Sequence, residues 1–170
     1  MKKVSFRNDV LPLKNELFRL ALRITLNRAE AEDIVQDTLI KVWNRREEWN
    51  AIDSIEAFSL TVCRNLSLDR IKKKGNDNDS LEDVKAAESL ASSNPQDRMI
   101  QTDKVRLIRQ IVDGLPEKQR SCMQLRDFEG KTYKEIAGVL DISEEQVKVN
   151  IFRARQTVKQ KYLKLDNYGL

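Results

Sequence analysis

Apolar residues in this chain recur at three- and four-residue spacing, so the pattern predicts helices from end to end. Leu13, Leu17, Leu20, Ala21 and Ile24, with Phe18 beside them, form a first stripe. Ala31, Ile34, Val35, Thr38, Leu39 and Val42 form a second, with Trp43 at the core or its rim, and Ile55, Phe58, Val62, Leu66 and Ile71 a third. Further on, Met99, Val105, Ile108 and Val112 mark one stripe, Cys122, Leu125 and Phe128 another, and Val147, Ile151, Ala154 and Val158 the last. No segment alternates for long enough to outweigh helix. The expected fold class is all-α.

Short-range chemistry sets the boundaries. Asn27 with Glu30, Asp53 with Glu56, Thr132 with Glu135 and Ser143 with Gln146 each pair a capping side chain with one that reaches back three residues later, the capping-box arrangement. Asn94-Pro95 supplies a cap followed by a proline at the first helical position, and Pro116 opens the next helix. Gly75, Gly114 and Gly130 are placed to end helices. Residues 75–93 are rich in Asn, Asp and Ser with few large apolar side chains, which predicts a flexible linker holding at most a short helix around Leu81 to Leu90. The expectation is two small helical domains, 1–74 and 95–170, joined by a linker over 75–94.

Thr132 to Lys161 is the most informative stretch. Two capped helices flank the short Leu140-Asp141-Ile142 connection, and the second buries Val147, Ile151, Ala154 and Val158. Its opposite face carries Glu145, Val149, Phe152, Arg153 and Gln156, flanked by Gln146, Lys148 and Arg155. A polar, basic outer face on the second of two such helices is what a DNA-binding helix-turn-helix requires.

Composition narrows the chemistry. The 170 residues are 40% hydrophobic and 34% charged, and no apolar run approaches the roughly 20 residues that cross a bilayer. The N-terminus lacks the apolar core of a secretory signal. Histidine is absent, which excludes Ser-His and Cys-His catalysis and, with two cysteines, argues against a zinc site. Cys63 and Cys122 read as reduced, buried thiols of a cytoplasmic protein. The five glycines are scattered, so no phosphate-binding loop is present. The chain is expected to be no enzyme and to need no cofactor, although composition alone leaves a two-carboxylate hydrolase open. The net charge of +4 divides into +4 over residues 1–74, −5 over 75–103 and +5 over 104–170. Two basic blocks on an acidic tether suggest two modules that face nucleic acid.

Asp33 and Asp37 lie four apart on one exposed helical face with Glu30 adjacent, a like-charge spacing that costs a few tenths of a kcal/mol. Such a face is either simply solvated or a docking surface for a basic partner. Trp49 and Asn50 fall in the polar stretch Glu47 to Asp53, where an aromatic and an amide suit an unpaired base, or where Trp49 lids the helix junction. The third helix exposes Arg64, Arg70, Lys72, Lys73 and Lys74, a cluster the helix dipole alone also favours.

In order and spacing the chain resembles an extracytoplasmic-function (ECF) sigma factor, a short bacterial initiation factor of the sigma-70 type. The resemblance covers nearly all of residues 11–163 and rests on AEDIVQDTLIKVW (31–43), RNLSLDRIKKK (64–74), LPEKQRSCMQLRDFEGKTYKEIAGVLDIS (115–143) and VKVNIFRARQTVK (147–159). It implies that Asp33, Gln36 and Asp37 meet the clamp helices of the largest subunit of RNA polymerase. The loop holding Trp49, Asn50, Asp53 and Ser54 matches the one that captures a flipped base of the promoter −10 element. Arg64, Asn65, Asp69, Arg70 and Lys73 match the helix lying against that element. Thr132, Tyr133, Ser143, Glu145, Gln146, Lys148, Val149, Phe152, Arg153 and Arg155 fall in the reader of the −35 duplex, with Arg155 meeting phosphate or the neighbouring helix. The family also implies an anti-sigma factor as a further partner. Val149 and Asn150 stand where the family often has a small hydroxyl residue and then a basic one, so the promoter sequence does not carry over. Two other readings remain: a free-standing helix-turn-helix regulator, which does not need the acidic face, and a metal-dependent nucleic-acid enzyme, for which no carboxylate signature is present.

Overall fold

The computed structural model describes residues 3–76 and 100–167. The expected linker beyond Asn76, its short helix, the Asn94-Pro95 cap and Met99 lie outside the described residues. Within them every regular element is helical. Two short turns, Phe6–Val10 and Leu11–Leu13, lead into α1 (Lys14–Thr25). Helix α2 spans Arg28–Asn44, a 3₁₀ segment Arg46–Ala51, and α3 Ile55–Asn76. The second block holds α4 (Ile100–Asp113), α5 (Glu117–Met123) running on into a wide turn Gln124–Phe128, α6 (Tyr133–Leu140) and α7 (Glu144–Asn167).

The caps explain most of these boundaries. Asn27 accepts the Glu30 backbone N–H at 3.0 Å, although the Glu30 carboxylate pairs with Lys74 instead of closing the box. At α3 the cap is Ser54, whose hydroxyl accepts the Ala57 N–H at 3.1 Å, and not Asp53. Both boxes of the helix-turn-helix are complete: Thr132 with Glu135, and Ser143 with Gln146. The turn between its helices places Asp141 in the left-handed region at φ 57°, and the Ile142 N–H returns to the Ala137 carbonyl at 3.1 Å. Gly130 takes φ 73° just before α6. Gly75 lies inside α3 rather than after it. Replacing Thr132 by Ala removes one acceptor for an otherwise unpaired helix-end donor; it should cost about 1 kcal/mol of unfolding free energy, read from a urea midpoint, and Ser should restore it.

Helices α1, α2 and α3 pack against one another, and α5 and α6 pack against α7. The two blocks also pack together, because α1 and α3 meet α5 and α6. One apolar core draws on both: Leu17, Leu20 and Ile24 of α1, Ile34 of α2 and Cys63 of α3 share it with Cys122, Leu125, Ile136 and Ile151. Val112, Leu115, Met123 and Ala154 form a second core under α4 and α7, and Val10, Val42 and Trp49 a third at the far end of α2.

Around the shared core runs a rim of ions that join the blocks. Arg19 is bidentate to Glu129 at 2.6 and 2.7 Å, and Arg23 reaches Asp113 at 2.7 Å and Gln124 at 2.9 Å. Arg64 is bidentate to Glu117 at 2.8 and 3.3 Å. The Lys131 ammonium stands 2.8 Å from both Glu16 and Glu56. Burial works against that ammonium, but its hydrogen bonds to Glu16 and Glu56 outweigh it and hold its pKa above the ordinary lysine value. Arg120 donates to the Asp113 and Ile24 carbonyls, and burial lowers its pKa.

Three positions of the apolar pattern face outward. Val105 is 42%, Phe128 47% and Ile71 37% exposed. Trp43 is at the rim, with the Phe6 ring edge-on at 5.4 Å.

Candidate nucleic-acid and partner interfaces

Three surfaces carry the residues singled out by the sequence. The first is the outer face of α7. Val147, Ile151 and Ala154 anchor the helix in the cores, and 3.6-residue geometry then turns Glu145, Gln146, Lys148, Val149, Phe152 and Arg153 to solvent. Phe152 is 63% exposed, the most of any large apolar side chain among the described residues. Ser143, Glu145, Gln146, Val149, Asn150 and Arg153 line a shallow groove of about 550 Å³ along the first turns. Thr132 is exposed, and the half-buried Tyr133 ring takes Arg126 at 4.5 Å and Lys148 at 5.5 Å on its faces. Arg155 does not join this face: it is bidentate to Asp127 at 2.5 and 3.1 Å, and that hydrogen bonding raises its pKa.

The second surface lies between α2 and α3. A groove of about 370 Å³ has Phe58, Val62 and Leu66 as its apolar floor and Lys41, Asn44, Arg45, Asn65 and Asp69 as its polar rim. The Arg45 guanidinium sits over the Phe58 ring at 5.6 Å. Asn65 and Asp69 were singled out by the sequence; Lys41, Asn44, Arg45 and Phe58 were not. Phe58 reads as core by its period, and only the crossing of α2 over α3 brings it beneath an amide and two cations.

Two residues expected on this surface sit elsewhere. Trp49 is buried at 6% exposure; its indole N–H donates to the Val42 carbonyl at 3.0 Å and its ring meets Trp43 edge-on. It closes the junction of α2 and the 3₁₀ segment, so no face is free to stack on a base. Arg64 is also 6% exposed, held by Glu117 across the block interface. Asn50, Asp53, Ser54 and Lys73 are exposed.

The third surface is the acidic face of α2. Asp33 and Gln36 are exposed and Asp37 is half-buried. Ile40, 56% exposed, and Trp43 continue the same helical stripe, with Arg46 over the Trp43 ring at 4.4 Å. Arg70 of α3 stands 2.7 Å from Asp33 and 3.9 Å from Asp37.

Among the described residues no group of carboxylates and thiols is placed to hold a metal ion, and no helix is long and apolar enough to cross a membrane. Cys63 and Cys122 are free and buried, and burial pushes both thiols up to about 12.

Comparison with known proteins fits this arrangement. Residues 10–76 match the family described as Sigma-70 region 2, and residues 106–158 match Sigma-70, region 4. A Xanthomonas campestris pv. campestris relative, "Probable RNA polymerase sigma factor RfaY", is 27% identical over 157 residues; the match takes in 91% of this chain and 39% of that longer protein. The ECF RNA polymerase sigma factor SigW of Bacillus subtilis is 26% identical over 164 residues, 92% of this chain and 88% of its own. In a solved structure, the sigma factor RpoE in complex with the anti-sigma factor NepR from Bartonella quintana, the matched chain has the same fold: TM-score 0.76 at 24% identity, covering 95% of this chain and 98% of that one. Two sigma regions in order along one helical chain define a sigma factor, and this chain belongs to the ECF group of the sigma-70 family, the factors that direct promoter-specific transcription initiation.

Proposed function

We propose that this chain binds RNA polymerase core through the acidic face of α2, reads the −35 duplex with α7 and holds an opened −10 element against the groove between α2 and α3. The observation that carries this reading is the outer face of α7, where a helix anchored by Val147, Ile151 and Ala154 projects its polar and basic residues clear of the rest of the fold. Polymerase core has phosphate affinity but needs base contacts from another subunit to choose a promoter. A helix presented in this way fits a major groove, where its first turns would bring Glu145, Gln146, Lys148, Val149, Phe152 and Arg153 to base edges and phosphates. Thr132 and Tyr133, at the start of α6, flank the same face. Residues 1–74 form the docking and −10 unit, residues 95–170 the −35 unit, and 75–94 the tether.

The groove suits an unpaired base: an apolar floor takes its ring, and the amides of Asn44 and Asn65 with the Asp69 carboxylate suit its edge. Holding bases out of the stack offsets an unpairing cost of a few kcal/mol, so opening needs binding energy and no catalysis by this chain. Asn50, Asp53 and Ser54 are exposed in the segment leading into α3, and Arg70 and Lys73 lie further along that helix. Arg64 lies outside this groove, paired with Glu117 across the block interface. The work is done in the cytoplasm, and the likeness to RpoE in its complex with NepR supports an anti-sigma factor as a second partner.

The test is run-off transcription from the chain's own upstream DNA, using purified core with and without it. A discrete promoter-specific transcript that depends on the chain is expected; specific duplex binding with no core association would sink the reading. In the same assay Arg153→Ala should weaken −35 recognition by roughly tenfold, the scale of one lost base or phosphate contact of 1–3 kcal/mol. An unaltered promoter profile would remove Arg153 from the reading face.

A further inference from the structure

The acidic docking face and the basic end of α3 are each other's counterions. Arg70 stands 2.7 Å from Asp33 and 3.9 Å from Asp37, and Lys74 2.5 Å from Glu30, so three carboxylates of α2 face two cations of α3. The Lys74–Glu30 pair is the more sheltered, with Glu30 15% exposed, whereas Asp33 is 54%, Asp37 48% and Arg70 29% exposed. Exposed pairs of this kind are weak and exchange readily for other partners. We infer that polymerase docking and −10 binding are coupled through Arg70, which trades its carboxylates for a DNA phosphate when a basic polymerase surface takes over Asp33 and Asp37. The inference rests on the docking and −10 assignments made above.

The physical argument is a competition for charge. Arg70 has one positive charge to share, whichever of its N–H groups a phosphate takes. While it faces Asp33 and Asp37, it offsets the negative field that draws in a basic partner. A cation arriving on those carboxylates repels Arg70 and loosens its hold, leaving it free for phosphate. A phosphate on Arg70 restores the full negative field of α2. The two events therefore favour each other, and linkage requires the effect to be equal in both directions.

Core affinity of the full chain, measured with and without a single-stranded oligonucleotide carrying the non-template strand of its own promoter, tests this. For the unaltered chain the oligonucleotide should tighten core binding about fivefold, at the low end of common coupling strengths. Arg70→Gln should bind core several-fold more tightly than the unaltered chain without DNA, because its carboxylates are already released, and should lose the response to DNA. Arg70→Lys keeps the charge and should keep the response. Arg70→Gln with unchanged or weaker core affinity and an intact DNA response would overturn the exchange. Asp33→Asn with Asp37→Asn separates the two levels. If that variant binds core as the unaltered chain does, the docking assignment itself fails; if it binds core poorly while Arg70→Gln changes nothing, only the exchange fails. Thermal melting followed by circular dichroism checks that each variant is folded.

Discussion

Asp33→Lys combined with Asp37→Lys should lower the affinity for polymerase core by roughly 100-fold, about 2.7 kcal/mol, while leaving the fold in place. Two charge reversals on one helical face replace attraction to a basic surface by repulsion, and like-charge juxtaposition across an interface costs several kcal/mol. The fold should survive because both side chains lie on the solvent side of α2, at 54% and 48% exposure, and give up only surface pairs with Arg70. Co-purification or a binding titration with core reads the loss, and circular dichroism reads the fold. Unchanged core affinity would refute the docking assignment.

Glu117→Gln should destabilise the packed blocks by about 3 kcal/mol, a large fraction of a typical domain's stability. The Arg64 side chain is only 7% exposed, and Glu117 supplies its facing carboxylate across the interface. Taking that charge away leaves a buried guanidinium unbalanced, with Arg120 also close to Glu117 and Asp113. Breaking a buried pair costs far more than replacing both members, so Arg64→Met with Glu117→Leu should recover most of the loss. Urea midpoints read the stability, and small-angle scattering reads the separation of the blocks as an increased radius. A midpoint for Glu117→Gln within about 0.5 kcal/mol of the unaltered chain, the range of an ordinary surface change, would show that the pair does not hold the blocks together.

The helical fold and the helix-turn-helix were legible because they rest on interactions three or four residues apart. Thr132 with Glu135 and Ser143 with Gln146 close as expected, and Val147, Ile151 and Ala154 are buried as their spacing requires. The same reasoning placed Asp33 and Asp37 together on an open face, of which Asp33 is exposed and Asp37 half-buried. It failed where the deciding partner is far along the chain. Arg64 carries a charge in the middle of α3 and reads as a surface residue; its partner lies 53 residues away, and nothing local announces it. Trp49 sits among polar residues and reads as a loop aromatic, yet its indole finds the Val42 carbonyl seven residues back and an apolar niche with Val10. Val105, Phe128 and Ile71 fit a helical period and are nonetheless exposed. Periodicity reports which face of a helix is apolar, not how far along it the cover extends.

The two cysteines give the molecule a reporter of its own motion. Cys63 comes from the first block and Cys122 from the second, and both sit in the core that the blocks share, with burial holding each thiol at about 12. A thiol in that state is neither reachable nor ionised, so at neutral pH it does not attack an alkylating reagent. When the surrounding helices part, the pKa falls back to about 8.5 and the sulfur meets solvent. The rate of alkylation then counts opening events directly, with no label to disturb the packing, and the ratio of the two rates tells whether the blocks open together or one at a time.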